Sequence, residues 1–204
     1  MQNTTLVLAP RDAGRQLTLD AFDDAVLTDG YQYELIDGAL VVSPRGHEIH
    51  AIITEFVYNY LRDYARGHRD VLRYVTALAR TILPREVSNV EPDVAAFRSF
   101  RRARSYEQRP WRDKDPCLVV EIVSPGNPEH DYKTKRALYW RKSSITEYWI
   151  VDARDDPDQP RMLALRRGET DWDEVAVPSG ETYTTSLLPG FTLDLGRVYK
   201  DVDG

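Results

Sequence analysis

One cysteine, two methionines and four histidines are all that 204 residues offer in the way of soft or imidazole ligands. A lone Cys117 rules out an internal disulfide framework and any zinc site built on paired thiolates. His47 and His50 stand three apart, but no cysteine or further histidine lies near them, which argues against a structural zinc. Long apolar runs are also missing, so no stretch reaches the length that a bilayer-spanning helix needs. The opening residues lack the basic start and apolar core of a secretory signal. Repeats, low-complexity tracts and linkers long enough to divide domains are absent. These absences lead to the expectation of a cytoplasmic protein without disulfides.

What is present is ordinary in amount and uneven in place. Hydrophobic residues make up 42% and charged residues 29%, enough for one substantial core. The net charge of −6 gives little reason to expect indiscriminate nucleic-acid binding. Residues 98–114 depart from that balance: seven basic residues stand against Glu107 and Asp113, leaving −11 for the rest of the chain. Phe100, Tyr106 and Trp111 are interleaved with them. Such a run is usually a solvated loop. The alternative is a phosphate-contacting segment built on Arg101, Arg102, Arg104 and Arg109.

The most informative stretch is Cys117-Leu118-Val119-Val120-Glu121-Ile122-Val123, in which six of seven residues are apolar. That is the pattern of a strand covered on both faces. A carboxylate in its middle is costly to bury and needs a cation, a metal or a lysine beside it. Val90 to Phe97 repeats the pattern, with Asp93 near its start. Downstream, Asn127-Pro128 predicts a helix start. On that helix Asp131, Lys135 and Tyr139 recur every four residues and share a face. Two acids on neighbouring strands and a lysine on the next helix can build a metal-dependent phosphodiester-cleaving site. The competing reading is a salt-bridged core acid.

The remaining elements follow in order. Residues 1–17 show no periodicity and read as an N-terminal arm, leaving 18–204 as a single domain. Thr18 or Asp20 predicts the cap of a helix running through Val26-Leu27. Tyr31 to Val42 reads as a hairpin turning at Asp37-Gly38. His47 to Arg66 is apolar at helical spacing, with Gly67 as its stop. Val71 to Leu83 predicts one long strand, with Val90 to Phe97 as its antiparallel neighbour. A strand over Glu147 to Asp152, a hairpin over 162–177 and an apolar tail complete an α/β domain with a mixed central sheet flanked by helices. Exposed sheet edges make a homodimer a further expectation.

Several of these segments together resemble a known family. They are Tyr33-Glu34-Leu35-Ile36-Asp37-Gly38, Ser43-Pro44 with His50, Pro92-Asp93, and Leu118 to Pro125. Asp131 with Lys135 and Tyr139, then Glu147 to Asp152, continue the match. In this order the chain resembles, over residues 18–195, the Uma-type endonucleases of the PD-(D/E)XK nuclease superfamily. The resemblance implies a restriction-endonuclease-like fold and hydrolysis of phosphodiester bonds in DNA with Mg²⁺ or Mn²⁺. It implies Asp93 and Glu121 as metal-holding catalytic acids, with Glu34 as a third carboxylate. It also implies His50 as a phosphate or carboxylate partner, grouped with the arginines as a DNA contact. Where the superfamily's generic pattern has a lysine, two residues after the acid, this chain has Val123. The resemblance therefore carries the lysine role to Lys135, with Lys133 as the lesser candidate. Two rivals compete: a catalytically inactive DNA- or partner-binding module on the same fold, and a metal-dependent hydrolase of small phosphate esters.

Overall fold

The computed structural model describes residues 5–77, 79–83, 85–105 and 110–200. Its class is mixed α/β, with few helices and one large mixed sheet. The chain forms two compact units. The first is Met1–Arg45 with Arg80–Glu91 and Ala103–Lys114; the second is Gly46–Ala79 with Pro92–Arg102 and Asp115–Gly204.

The first unit is built on a four-stranded antiparallel sheet in the order Ala39–Pro44, Tyr31–Ile36, Ser88–Val90, Thr81–Leu83. Its hairpin turns at Asp37 and Gly38, whose φ values of 47° and 80° are both left-handed. That is the backbone a two-residue type I′ turn demands and Asp-Gly tolerates. Thr18 caps the following helix by accepting the Ala21 N–H at 3.1 Å. That helix is Leu19–Asp23 and does not run on to Leu27 as its sequence predicted. Val26–Leu27 is a short strand paired in parallel with Val7–Leu8, as its branched residue favours. The opening segment is thereby drawn into structure: Leu8 is fully buried in a cluster with Phe22, Tyr33, Leu35 and Leu40.

The second unit holds the large sheet, ordered Trp172–Val177, Arg161–Arg167, Glu147–Asp152, Leu118–Ile122, Val94–Phe97, Tyr74–Thr76. Only the central pair, Leu118–Ile122 and Glu147–Asp152, is parallel. A parallel pair needs a crossover, and the helical segment from His130 to Arg141 supplies it. One face packs against helix Glu48–Gly67 through Ile53, Val57 and Leu61, which meet Val94, Ala96, Leu118, Val120, Trp149 and Val151. Leu187, Leu188, Phe191, Leu193 and Leu195 of the tail join this core. Gly67 is the last helical residue and has no left-handed φ; His68 follows as the cap.

The long strand expected over Val71 to Leu83 is two strands, Tyr74–Thr76 and Thr81–Leu83, one in each unit. Its partner divides likewise into Ser88–Val90 and Val94–Phe97. Proline has no N–H for a ladder, and the division falls beside Pro92.

Candidate active site

Six of the singled-out side chains meet in the second unit. Val94 pairs with Val120, so one residue further out Asp93 falls opposite Glu121. Facing positions of an antiparallel pair bring Cβ atoms to about 5 Å. Asp93 Oδ2 accepts the Ile122 N–H at 2.7 Å and lies 3.1 Å from His50 Nε2. Glu121 is 2% exposed. Its Oε1 lies 2.9 Å from Lys135 Nζ and accepts the Tyr139 hydroxyl at 2.5 Å. Lys135 is itself buried, with Asp131 Oδ1 3.8 Å away. Lys133, two residues earlier, is exposed and pairs with Glu129 at 2.7 Å. The buried acid therefore has a lysine partner, as its desolvation requires.

The geometry of the crossover helix makes this convergence possible. Helical backbone begins at Pro128, but His130–Lys135 is a π-helix, followed by α-helix Arg136–Arg141. π-Helical turns are rare and cluster at functional sites. This one is held from the neighbouring strand: Tyr148 donates its hydroxyl to the Asp131 carbonyl at 3.0 Å, and Tyr132 donates to Asp152 Oδ2 at 3.0 Å. At the far end, Arg167 donates to the carbonyls of Tyr139, Lys142 and Ile145. Its guanidinium also lies 4.3 Å from the centre of the Trp140 ring and 4.8 Å from that of Trp172. Both ends of the lysine-bearing segment are thus tied down. Tyr132, Tyr148 and Arg167 were missed by sequence reasoning, because an aromatic in an apolar strand and an arginine in a hairpin announce no partner.

The electrostatics follow from burial against pairing. Burial pulls the His50 pKa down, yet the hydrogen bond and charge of Asp93, aided by Asp131 and opposed by Lys135, leave it raised. Burial raises the Asp152 carboxyl, but hydrogen bonds from Arg154 and Tyr132 prevail and its pKa is lowered. The Cys117 thiol is pushed up by burial and hydrogen-bonds the Ala96 carbonyl at 3.4 Å. A protonated buried thiol of this kind is no nucleophile.

The other expected residues are distributed. Glu34 belongs to the first unit, where it is buried and its Oε1 accepts the Glu91 N–H at 2.9 Å. Glu91 in turn pairs with Arg80 at 2.8 Å. Of the basic run, Arg101 and Arg102 are exposed in the second unit and Arg104 is exposed in the first. Arg109 lies outside the described residues. Arg112 is committed within the first unit, donating to Asp20 and Asp23 at 2.7 Å each.

Among the described residues no three His, Cys, Asp or Glu side chains gather as a metal cage. The Asp93–Glu121 pair still fits a small hard cation. Both donors are carboxylates, and Mg²⁺ is commonly held by one or two carboxylates with water completing its shell. No helix of the described residues is long and apolar enough to cross a membrane.

None of the curated proteins compared with this chain matches it. A solved structure from Anabaena variabilis, described as a "putative nuclease belonging to DUF820", has the same fold. The TM-score is 0.71 at 16% identity, over 90% of this chain and 98% of that one. A family model, Uma2, described as "Putative restriction endonuclease", matches residues 19–196, and the chain belongs to that family.

Proposed function

We propose that the protein is a metal-dependent endonuclease of the PD-(D/E)XK type that hydrolyses phosphodiester bonds in DNA. The observation that carries this reading is Lys135. Its ammonium is buried against Glu121, at the strand end where Asp93 stands opposite. A buried lysine confined beside the carboxylates of Glu121 and Asp131 is a costly arrangement for stability alone. It has a use where phosphate charge must be met.

Asp93 and Glu121 would hold Mg²⁺ or Mn²⁺. Held there, such an ion would supply Lewis-acid polarisation of the phosphate and a more acidic water. Glu121 keeps its orientation through the Tyr139 hydroxyl, and Asp93 through the Ile122 N–H and His50. Lys135 meets the charge that develops on the phosphate or orients the attacking water. A preorganised charge needs no solvent rearrangement at that moment. Exposed Arg101, Arg102 and Arg104 would contact the backbone of DNA without reading its bases.

One observation favours the non-catalytic reading: Glu121 already has a lysine and a tyrosine on one oxygen. A cleavage assay decides between the two. Supercoiled plasmid incubated with the protein and Mg²⁺ or Mn²⁺ is expected to be nicked, with no reaction in EDTA or with Asp93→Ala. Intact plasmid across a range of sequences and structures, with either metal, would leave the binding module.

A further inference from the structure

The far end of the Asp93 strand carries a second concentration of chemistry. Tyr74 opens the edge strand of the large sheet and pairs across it with Phe97. Tyr74 is 39% exposed, and its ring stacks on Phe100 with centroids 4.1 Å apart and planes at 28°. Phe97 is fully buried and meets Phe100 edge-on at 5.4 Å, so the stack rests on a fixed base. Arg69, Arg73, Arg98, Arg101 and Arg102 surround it in the chain, and all five are exposed. Arg69 donates to the Arg73 carbonyl at 2.8 Å, and the Arg73 N–H donates to the Phe97 carbonyl at 2.8 Å. These bonds draw the two arginine-bearing stretches to the same sheet end. Asp70 is the sole acid within residues 69–74 and 98–102. In a chain of net charge −6, such a local excess has a strongly anionic complement.

We infer that this surface binds single-stranded DNA by stacking a base on Tyr74 while the arginines track phosphates. Every base has a π-face, and an exposed aromatic flanked by arginine is the means by which strands are held without sequence preference. From Asp93 to Phe97 is four residues, about 13 Å of strand. The surface is therefore separate from the acid–lysine site while lying in the same unit. It rests on the proposed nuclease reading only for the class of ligand.

Binding of a fluorescein-labelled oligothymidylate in EDTA tests it, followed by anisotropy over a salt series. A second probe with one internal 2-aminopurine reports stacking by quenching. The wild type is expected to bind with salt-dependent affinity and to quench the probe. Tyr74→Ala should weaken binding about fivefold or more and remove the quenching, while Tyr74→Trp keeps both. Arg73→Gln with Arg101→Gln, at exposed positions that leave packing alone, should flatten the salt slope. No strand binding by the wild type overturns the inference, as does an unaltered slope in the arginine variant. Equal binding by folded Tyr74→Ala also overturns it. Plasmid cleavage separates the two readings. A wild type that cuts but binds no single strand defeats this inference alone. One that binds and quenches but never cuts defeats the nuclease reading alone.

Discussion

Two glutamates buried in neighbouring parallel strands make different uses of the same cost. Glu147 lies opposite Leu118 and Glu121 opposite Ile150, so strand alternation sends them to opposite faces of the sheet. Glu147 is enclosed by neutral donors: Trp149 Nε1 at 2.8 Å, the Tyr183 hydroxyl at 3.1 Å, and the Thr185 hydroxyl. The Arg166 guanidinium stands off at 3.8 Å. Glu121 has a full ammonium at 2.9 Å and a second acid in the facing position. Burial is therefore a poor guide to a site. The kind of partner is the better one: neutral hydrogen bonds satisfy a carboxylate and anchor a core, whereas a lysine and a second acid create charge that a ligand can use.

Exchanging each acid for its amide should separate the roles most sharply. Glu121→Gln is expected to lower metal-dependent plasmid cleavage by about a hundredfold or more, because the charge proposed to hold the metal is gone. Glu147→Gln should keep cleavage near the wild-type rate and lower stability instead. Comparable cleavage by the two variants would erase the distinction.

Removing the lysine probes the pair from the other side. Lys135→Ala leaves Glu121 buried without its ammonium, a change that costs about 3–5 kcal/mol when a buried pair is broken. Lys133→Ala, at an exposed pair, should stay within about 0.5 kcal/mol. Urea melts of both variants measure this, and similar midpoints would show that the Lys135 pair contributes little to folding.

Alkali should distinguish the two glutamate environments by a smaller amount. Burial, then the Glu147 charge, raises the Tyr183 hydroxyl to about 12. The unfolded phenol loses its proton near 10. The folded state thus binds the proton longer, and its stabilisation is complete below about pH 10 and lost as pH rises towards 12. Tyr183→Phe should lose less stability than wild type between pH 9 and 11. Parallel curves in urea unfolding would remove Glu147 from the account.

The smallest effect concerns the metal. Mg²⁺ that binds the folded state stabilises by mass action, and at the proposed Glu121 site it would compete with Lys135 for one carboxylate. Lys135→Ala should therefore gain a larger Mg²⁺-dependent rise in melting temperature than wild type, by a few degrees. An equal rise in both, or a rise surviving Asp93→Ala, would place the ion elsewhere.

Local chemistry settled a good part of this molecule. The Asp37-Gly38 turn, the helix after His47, the buried run around Glu121 and the four-residue recurrence of Asp131, Lys135 and Tyr139 depend on neighbours in sequence, where propensity and periodicity act directly. That Glu121 must have a partner was likewise legible, since an isolated buried charge is untenable. The partner's geometry was not. A π-turn at His130–Lys135 is held by Tyr148 and Tyr132 reaching from and to another strand, and no pattern within the helix encodes those bonds. The division of two apparent strands beside Pro92 and the burial of Glu34 also arose from long-range pairing. So did the opposed fates of Glu121 and Glu147, two acids in similar apolar strands. Alternation assigns them faces only once the register is known, and register is a property of strands brought together by folding.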